Sequence, residues 1–452
     1  MVEKLIEKAR TGFGKTLDKE SKTLFRNSSW VFFSNFTGIA LNILRSIVIA
    51  RGLGAETFGS YAIVVAFVGI VQEFLNLNLG TAIIKFGAAY HTEQRIDKLT
   101  ALVKACMKVS VLMMIISILV ISCMSLLSYS SFVHKPGLEL FIIFYAVAAS
   151  TKYFNSISNG ILRLYFKFRL NSVIQIIMDV VETALVVTAV LLYPKNLHVF
   201  FAVIIISSFL NGFICNWMAF WEVRKEFLPY YKVKYDLIRN EMKEVRTFIV
   251  GNSLGNSLKA VMSQGDVLLL GALAGPAQVG FYSVAKKIGY SILALTDPLM
   301  QSVFPQFSKL LAEKKFDETK KMLKKITSVA LVPSAIFIVV TLFLKEWLFL
   351  TIFGKEYLDS VYPFMYLLMS AVFSSVTFWS LPLIVSLGLV KLRLKVYLLA
   401  IVAGATIAYF AIPQMHAAGM AMALLCVNVI INTIFIYEAF RKMNATAPAG
   451  LS

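Results

Sequence analysis

The sequence predicts an all-α polytopic membrane protein with twelve transmembrane helices in two six-helix lobes related by a parallel pseudo-twofold repeat. Three observations carry this expectation. Apolar stretches of membrane-spanning length recur along nearly the whole chain, lysines and arginines fall in alternate gaps between them, and the second half echoes the first. A helix needs about 20 mostly apolar residues to cross the hydrocarbon core, and only helices or closed barrels satisfy their backbone groups there. Barrel strands would alternate in polarity over about ten residues, whereas VLMMIISILVIS and VALVPSAIFIVVTLFL are apolar on every face.

The elements follow in order. Residues 1–28 are basic and amphipathic, without the apolar core of a cleavable signal peptide. They form a cytoplasmic segment, and the first span serves as the uncleaved insertion signal. Spans one to six, at 29–50, 58–83, 102–126, 138–161, 172–192 and 199–221, make an N-lobe over 29–221. The segment 222–247 is a basic linker. Spans seven to twelve, at 248–273, 279–303, 326–352, 361–387, 396–412 and 420–440, make a C-lobe over 248–440, and 441–452 is a cytoplasmic tail. Pro298, after Asp297, is expected to kink span eight.

Charge fixes the orientation, because short cytoplasmic loops carry the basic excess. With both termini inside, cytoplasmic segments hold the whole net charge of +19, and the other segments balance. The basic composition is therefore an orientation signal rather than a sign of nucleic-acid binding, and no reader motif accompanies it. RKEFLPYYKVKYDLIRNEMKEVR and KLLAEKKFDETKKMLKK suit anionic headgroups. ARTGFGKT ends like a phosphate-binding loop at Gly14, Lys15 and Thr16, but Ala9 replaces its first glycine and no strand precedes it. Cys106, Cys123, Cys215 and Cys426 have no paired spacing. His91, His134, His198 and His416 are scattered, so neither disulfides nor a metal site are expected.

A shift of about half the chain lays Gly54 on Gly275, Gly59 on Gly280, Tyr61 on Tyr282 and Asn35 on Asn256. The same shift sets Arg45 opposite Asp266 and Asn76 opposite Asp297. Six spans separate the copies, so both lobes share one orientation, and duplicated transporter halves place substrate near mid-membrane at their junction.

The block ARGLGAETFGSYAIVVAFVGIVQEFLNLNLGTAIIKFGA resembles the opening of the polysaccharide biosynthesis proteins, which include O-antigen and other lipid-linked oligosaccharide flippases. These belong to the multidrug/oligosaccharidyl-lipid/polysaccharide exporter superfamily. The resemblance is sharp over 29–88, fainter over 247–306, and topological elsewhere. It implies a transporter, not an enzyme, in a bacterial or archaeal cytoplasmic membrane. Such a protein moves a polyprenyl-pyrophosphate-linked glycan to the outer leaflet by alternating access. It implies no cofactor, coupling to H+ or Na+, a monomer among membrane lipids, and a polysaccharide polymerase and assembly proteins as partners. Twelve spans tell against the fourteen-span peptidoglycan-precursor flippases of that superfamily.

Ten ionisable residues fall within the spans: Arg45, Glu73, Lys152, Asp179, Glu182, Lys259, Asp266, Lys286, Lys287 and Asp297. Each costs about 2.5–3.5 kcal/mol when facing lipid, so they point inward or pair. Asn252, Asn256, Lys259, Ser263 and Asp266 form one helical stripe on span seven, and Asn35, Asn42 and Arg45 another on span one. Taken with the resemblance, these suggest a wet cleft between spans one, two, seven and eight. Arg45, Lys259, Lys286, Lys287 and Lys152 are its candidate phosphate ligands, and Asn35, Asn42 and Asn256 its sugar ligands. Asp179, Glu182, Asp266, Asp297 and Glu73 are candidates for ion coupling or for salt bridges such as Arg45 with Asp266. An acid-lined cavity would instead suit a multidrug or organic-cation exporter, and an integral-membrane glycosyl polymerase or acyltransferase would need larger external loops.

Overall fold

The computed structural model describes residues 19–127, 139–194, 196–224, 227, 233, 235–239 and 241–446. The phosphate-loop look-alike at 9–16, His134 and parts of the linker and tail lie outside them, as do the side chains of Asn252, Asn256, Lys259 and Asp297.

Among the described residues every regular element is a helix. Span one is α1 (Lys19–Leu53), and span two is α2 (Ala55–Leu75) followed by α3 (Leu79–Thr92). Span three is α4 (Ile96–Leu127), span four α5 (Glu139–Ala149) plus α6 (Lys152–Leu164), span five α7 (Phe168–Leu192) and span six α8 (Leu197–Val223). In the C-lobe, span seven is α9 (Met242–Ala274), span eight α10 (Pro276–Gly289) plus α11 (Leu293–Ala312), and span nine α12 (Phe316–Ile352). Span ten is α13 (Val361–Val376) plus α14 (Ser380–Ser386), and α15 (Val390–Thr446) holds spans eleven and twelve. His416, at φ 50°, ψ −126°, turns α15 back on itself. A Cβ on Gly419 would meet Ala411 O, and one on Gly404 would meet Val427, as an antiparallel hairpin requires.

Helices outrun the apolar segments: α1 begins before residue 29 and α12 before residue 326. Hydropathy marks only the oil-facing stretch, whereas a helix keeps its hydrogen bonds into the polar interface. The same spans are broken in both lobes. Span two breaks at 76–78, where Asn78 takes the left-handed conformation, and span eight at Tyr290–Ile292. The latter corrects the expected kink: Pro298 lies inside α11, and the break falls two turns earlier. Span four breaks at Ser150 and Thr151, and span ten at 377–379 with a bend of 42°.

Internal symmetry is visible in the backbone. Gly54 (φ 77°, ψ 167°) and Gly275 (φ 81°, ψ 175°) start α2 and α10 with nearly the same positive-φ geometry, open to glycine at no steric cost. α2 and α10 then cross face to face, where a Cβ on Gly59 would lie 1.7 Å from Pro276 O and one on Gly280 2.1 Å from Ala55 O. Ala55 and Pro276 are themselves repeat mates, so this crossing sits on the pseudo-twofold axis.

The apolar core divides accordingly. At the Gly54 end one cluster serves both lobes, joining Ile49, Phe58 and Tyr145 to Tyr282, Phe349 and Leu367. Toward the Lys19 end it splits. Leu79, Leu99 and Ile161 centre a core in the N-lobe, while Phe307, Leu383 and Phe435 centre another in the C-lobe. Among the described residues the core is thus joined at the Gly54 end and divided at the end carrying Lys19 and Thr446, the outline of a V.

The first turns of α9 stay with the N-lobe: Val245 packs in its core, and Phe248 meets Phe86 edge-on. Lys98 Nζ lies 2.6 Å from Glu241 Oε1, and Tyr90 donates to Oε2 of the same carboxylate. Lys98 and Tyr90 hold the Glu241 carboxyl below the usual carboxylate range. A depressed folded-state pKa stabilises above the unfolded value, about 4.3 for a glutamate. The tie should therefore persist at neutral pH and be lost as pH falls through the lower folded value. Glu241→Gln should remove this pH dependence, read as faster amide exchange at the start of α9 at neutral pH with little further change on acidification.

Candidate functional site

α1 lies along α7, and Gly38 permits the approach, since a Cβ there would sit 3.2 Å from Asp179 Oδ2. Arg45 enters this seam 8% exposed. Its Nη2 is 3.4 Å from Asp179 Oδ1, and its Nη1 is 2.5 Å from Glu182 Oε2, as an ion contact without hydrogen-bond alignment. Asp179 and Glu182 share one face of α7 at i, i+3, so one guanidinium reaches both. At 1.5 Å per residue, Arg45 lies about 12 Å along α1 from Leu53, which places the triad deep within the span.

In the C-lobe Asp266 is 6% exposed. It accepts from Tyr282 Oη and Lys286 Nζ, and Lys286 also donates to Ser263 O at 2.9 Å. Repeat register alone would pair Arg45 with Asp266. The structure places them apart, because α1 packs on α7 of its own lobe while Asp266 is taken by the helix that follows it.

Lys287 differs from both. Half-buried about 16 Å into span eight, it has neither a carboxylate nor a hydrogen-bond partner among the described residues. Its charged neighbour is Arg45, across the lobe boundary, where α1 and α10 touch. Lys152 is exposed in the middle of span four, again without an ion pair within 4 Å among the described residues, with Glu182 and Glu73 as its nearer charges. Those neighbours, on α7 and α2, put Lys152 on the inner side, so its exposure is to a cleft. Glu73 is half-buried, and Asn35 and Asn42 are exposed on α1. Asn256, Lys259 and Asp297 are helical in backbone, and their side chains lie outside the described residues.

Removing Arg45 should leave two carboxylates facing each other in the seam. Breaking a buried pair costs about 3–5 kcal/mol, and these acids are a quarter exposed, which puts the expected loss toward the lower figure. Arg45→Ala should lower the thermal midpoint in detergent, and Arg45→Lys should restore part of it. An unchanged midpoint would show that the triad is not structural.

Two features of the seam have no hydropathy signature. Glu356 Oε1 accepts from Ala55 N at 2.8 Å, capping α2 from the other lobe, and Tyr357 Oη donates to Ala50 O at 3.0 Å. Both tie the C-lobe turn Lys355–Ser360 to the Gly54 end of the N-lobe. Only the turn glycine, Gly354, marks them in sequence.

The family model for polysaccharide biosynthesis proteins matches residues 24–311, which contain spans one to eight and all ten ionisable residues within the spans. The chain belongs to the polysaccharide biosynthesis protein family. A curated relative, the inner membrane protein YghQ of Escherichia coli (strain K12), is 21% identical over 296 residues, covering 65% of this chain and 82% of its own length. Among solved structures, a multidrug resistance MATE family transporter of the MOP superfamily, in an inward-facing conformation, superposes with a TM-score of 0.69 at 14% identity, covering 92% of this chain and 96% of its own. The lipid II flippase MurJ, in an inward closed conformation, gives 0.69 at 12% identity over 93% and 90%. At these identities the likeness shows the shared two-lobe fold.

Proposed function

We propose that this member of the polysaccharide biosynthesis family is a flippase for a polyprenyl-pyrophosphate-linked glycan, carried from the cytoplasmic to the outer leaflet by alternating access. One observation carries the reading: Lys287, at the lobe boundary and without a carboxylate partner among the described residues, lies beside an arginine already held by two acids. Phosphate oxygens accept charge-assisted hydrogen bonds from lysine, and these strengthen away from bulk water. Lys287 and Lys152 are the phosphate ligands of this reading. In it Arg45 and Lys286 serve as structural cations that shape the field, and Asn35 and Asn42, exposed on α1, would meet sugar hydroxyls.

The charge distribution supports a reading with both termini on the cytoplasmic side of an inner membrane. The joined Gly54 end then faces outward, and the V opens toward the leaflet where lipid-linked glycans are assembled. The similar proteins fit this setting, one being a lipid II flippase and another an inner membrane protein. Protonation or sodium binding at Asp179 and Glu182 would loosen their hold on Arg45 and so bias the lobes, which makes that triad the proposed coupling site.

The test is translocation in proteoliposomes. Purified protein should move a pyrophosphate-linked glycan to the opposite leaflet, where an added lectin captures it. Failure to move the glycan, together with efflux of cationic dyes, would transfer the protein to the organic-cation exporters.

A further inference from the structure

On the back of the N-lobe, away from the seam, the outer face of α8 carries Phe209, Phe213, Trp217 and Trp221 at successive steps of four, one rung per turn. Phe209 stacks on Phe213 with centroids 6.5 Å apart, and Phe213 on Trp217 at 5.9 Å. At the Lys19 end, Arg224 lies 5.1 Å from the Trp221 ring. The rungs are strongly exposed, with Trp217 at 63% and Trp221 at 56%.

Beside the ladder, α4, α6 and α8 enclose a groove of about 490 Å³ walled by Met107, Phe154, Phe213, Trp217 and Trp221, with Arg224 at its mouth. That volume lies within the roughly 300–1,000 Å³ of ordinary small-molecule sites. Its polar wall residue, Asn216, is satisfied from within: its amide donates to Asn155 Oδ1 at 2.9 Å and to Gly212 O at 2.6 Å, while Ser158 donates to its carbonyl oxygen. The groove thus presents no open polar group to an occupant except the guanidinium at its mouth. It ends where Gly212 packs on Thr151, and a smaller groove beyond, walled by Phe144 and Phe209, has no cationic residue in its lining.

We propose that this groove is a binding site for one anionic glycerophospholipid of the leaflet on the Lys19 side, with an acyl chain along the aromatic ladder and the phosphate on Arg224. The groove lies on the membrane-facing surface, where lipid is the solvent, and the one charged residue of its described lining, Arg224, sits at the end where headgroups lie. An isoprenoid substrate is not the occupant favoured, because the ladder is on the far side of the lobe from Lys287. The site stands apart from the transport reading.

The test uses the full chain in nanodiscs with Trp30, Trp347 and Trp379 replaced by phenylalanine, so that emission reports Trp217 and Trp221. Brominated phosphatidylglycerol should quench saturably and about fivefold more effectively than brominated phosphatidylcholine, the preference expected of one basic residue at the headgroup level. Arg224→Gln should bring the two lipids level. Equal quenching by both lipids in the parent protein, or quenching that rises without saturation, would overturn the site. So would a phosphatidylglycerol preference that survives Arg224→Gln. If the three replacements disturb folding, native mass spectrometry of the unmodified chain should show phosphatidylglycerol retained over phosphatidylcholine and released by Arg224→Gln, and no such retention would overturn it equally.

Discussion

Lys287→Ala should cut glycan-lipid translocation by roughly one to two orders of magnitude while leaving membrane abundance and thermal midpoint close to those of the parent. A hydrogen bond to a charged group contributes about 1.5–3 kcal/mol, or about tenfold to a hundredfold and more in rate if it is made in the transition state. Stability should hardly change, because Lys287 makes no ion pair or hydrogen bond among the described residues for the substitution to break. Lys286→Ala should behave in the opposite way, since it strips Asp266 of its counter-ion and should act through folding. Lys287→Arg should keep much of the rate, because a guanidinium also binds phosphate. Full transport by Lys287→Ala, or equal destabilisation in both alanine variants, would remove the distinction between a ligand lysine and a structural one.

Gly280→Val should hold the lobes apart at the Gly54 end and arrest transport. Even the first carbon of the new side chain would fall 2.1 Å from Ala55 O, and that atom is backbone, so the crossing of α2 and α10 must open. Overpacking elsewhere typically costs about 1–3 kcal/mol, enough to invert a two-state lobe equilibrium of a few kcal/mol. Spin labels at Arg51 and Leu358 should report a longer distance in Gly280→Val than in the parent. Gly251→Ala is the control, since nothing lies within 4 Å of a Cβ there, and both distance and transport should be retained. An unchanged distance in Gly280→Val would mean that the crossing does not set the closed end.

Four glycines show what the chain discloses about its own fold. Gly54, Gly59, Gly275 and Gly280 stand at equal spacing in the two halves, so the repeat and the shared orientation of the lobes are readable before any contact is known. Twelve spans are readable for the same reason, because oil tolerates few alternatives to an apolar helix. Partnership between spans is not. Repeat register puts Arg45 opposite Asp266, yet its neighbours are Asp179 and Glu182, because α1 packs on α7, and nothing in hydropathy states which non-consecutive helices touch. A helix break is hidden likewise. Pro298 signals a kink, whereas the chain bends at Tyr290–Ile292, where Tyr290 Oη shares a hydrogen bond with Ser370 and accepts one from Asn428. Those partners are remote in sequence, so tertiary contacts rather than local propensity fix the bend. For the site, the residue types were legible and the division of labour among them was not. Arg45, Lys152, Lys286 and Lys287 look alike until geometry shows which are already held.

The most direct test of the central claim is equilibrium binding of polyprenyl pyrophosphate and of the uncharged polyprenol to the protein in nanodiscs, compared with the Lys287→Met variant. The account expects the parent to favour the pyrophosphate by about tenfold or more, as a charge-assisted contact requires, and Lys287→Met to lose that preference while still binding both lipids through their tails. An undiminished preference in Lys287→Met would contradict it.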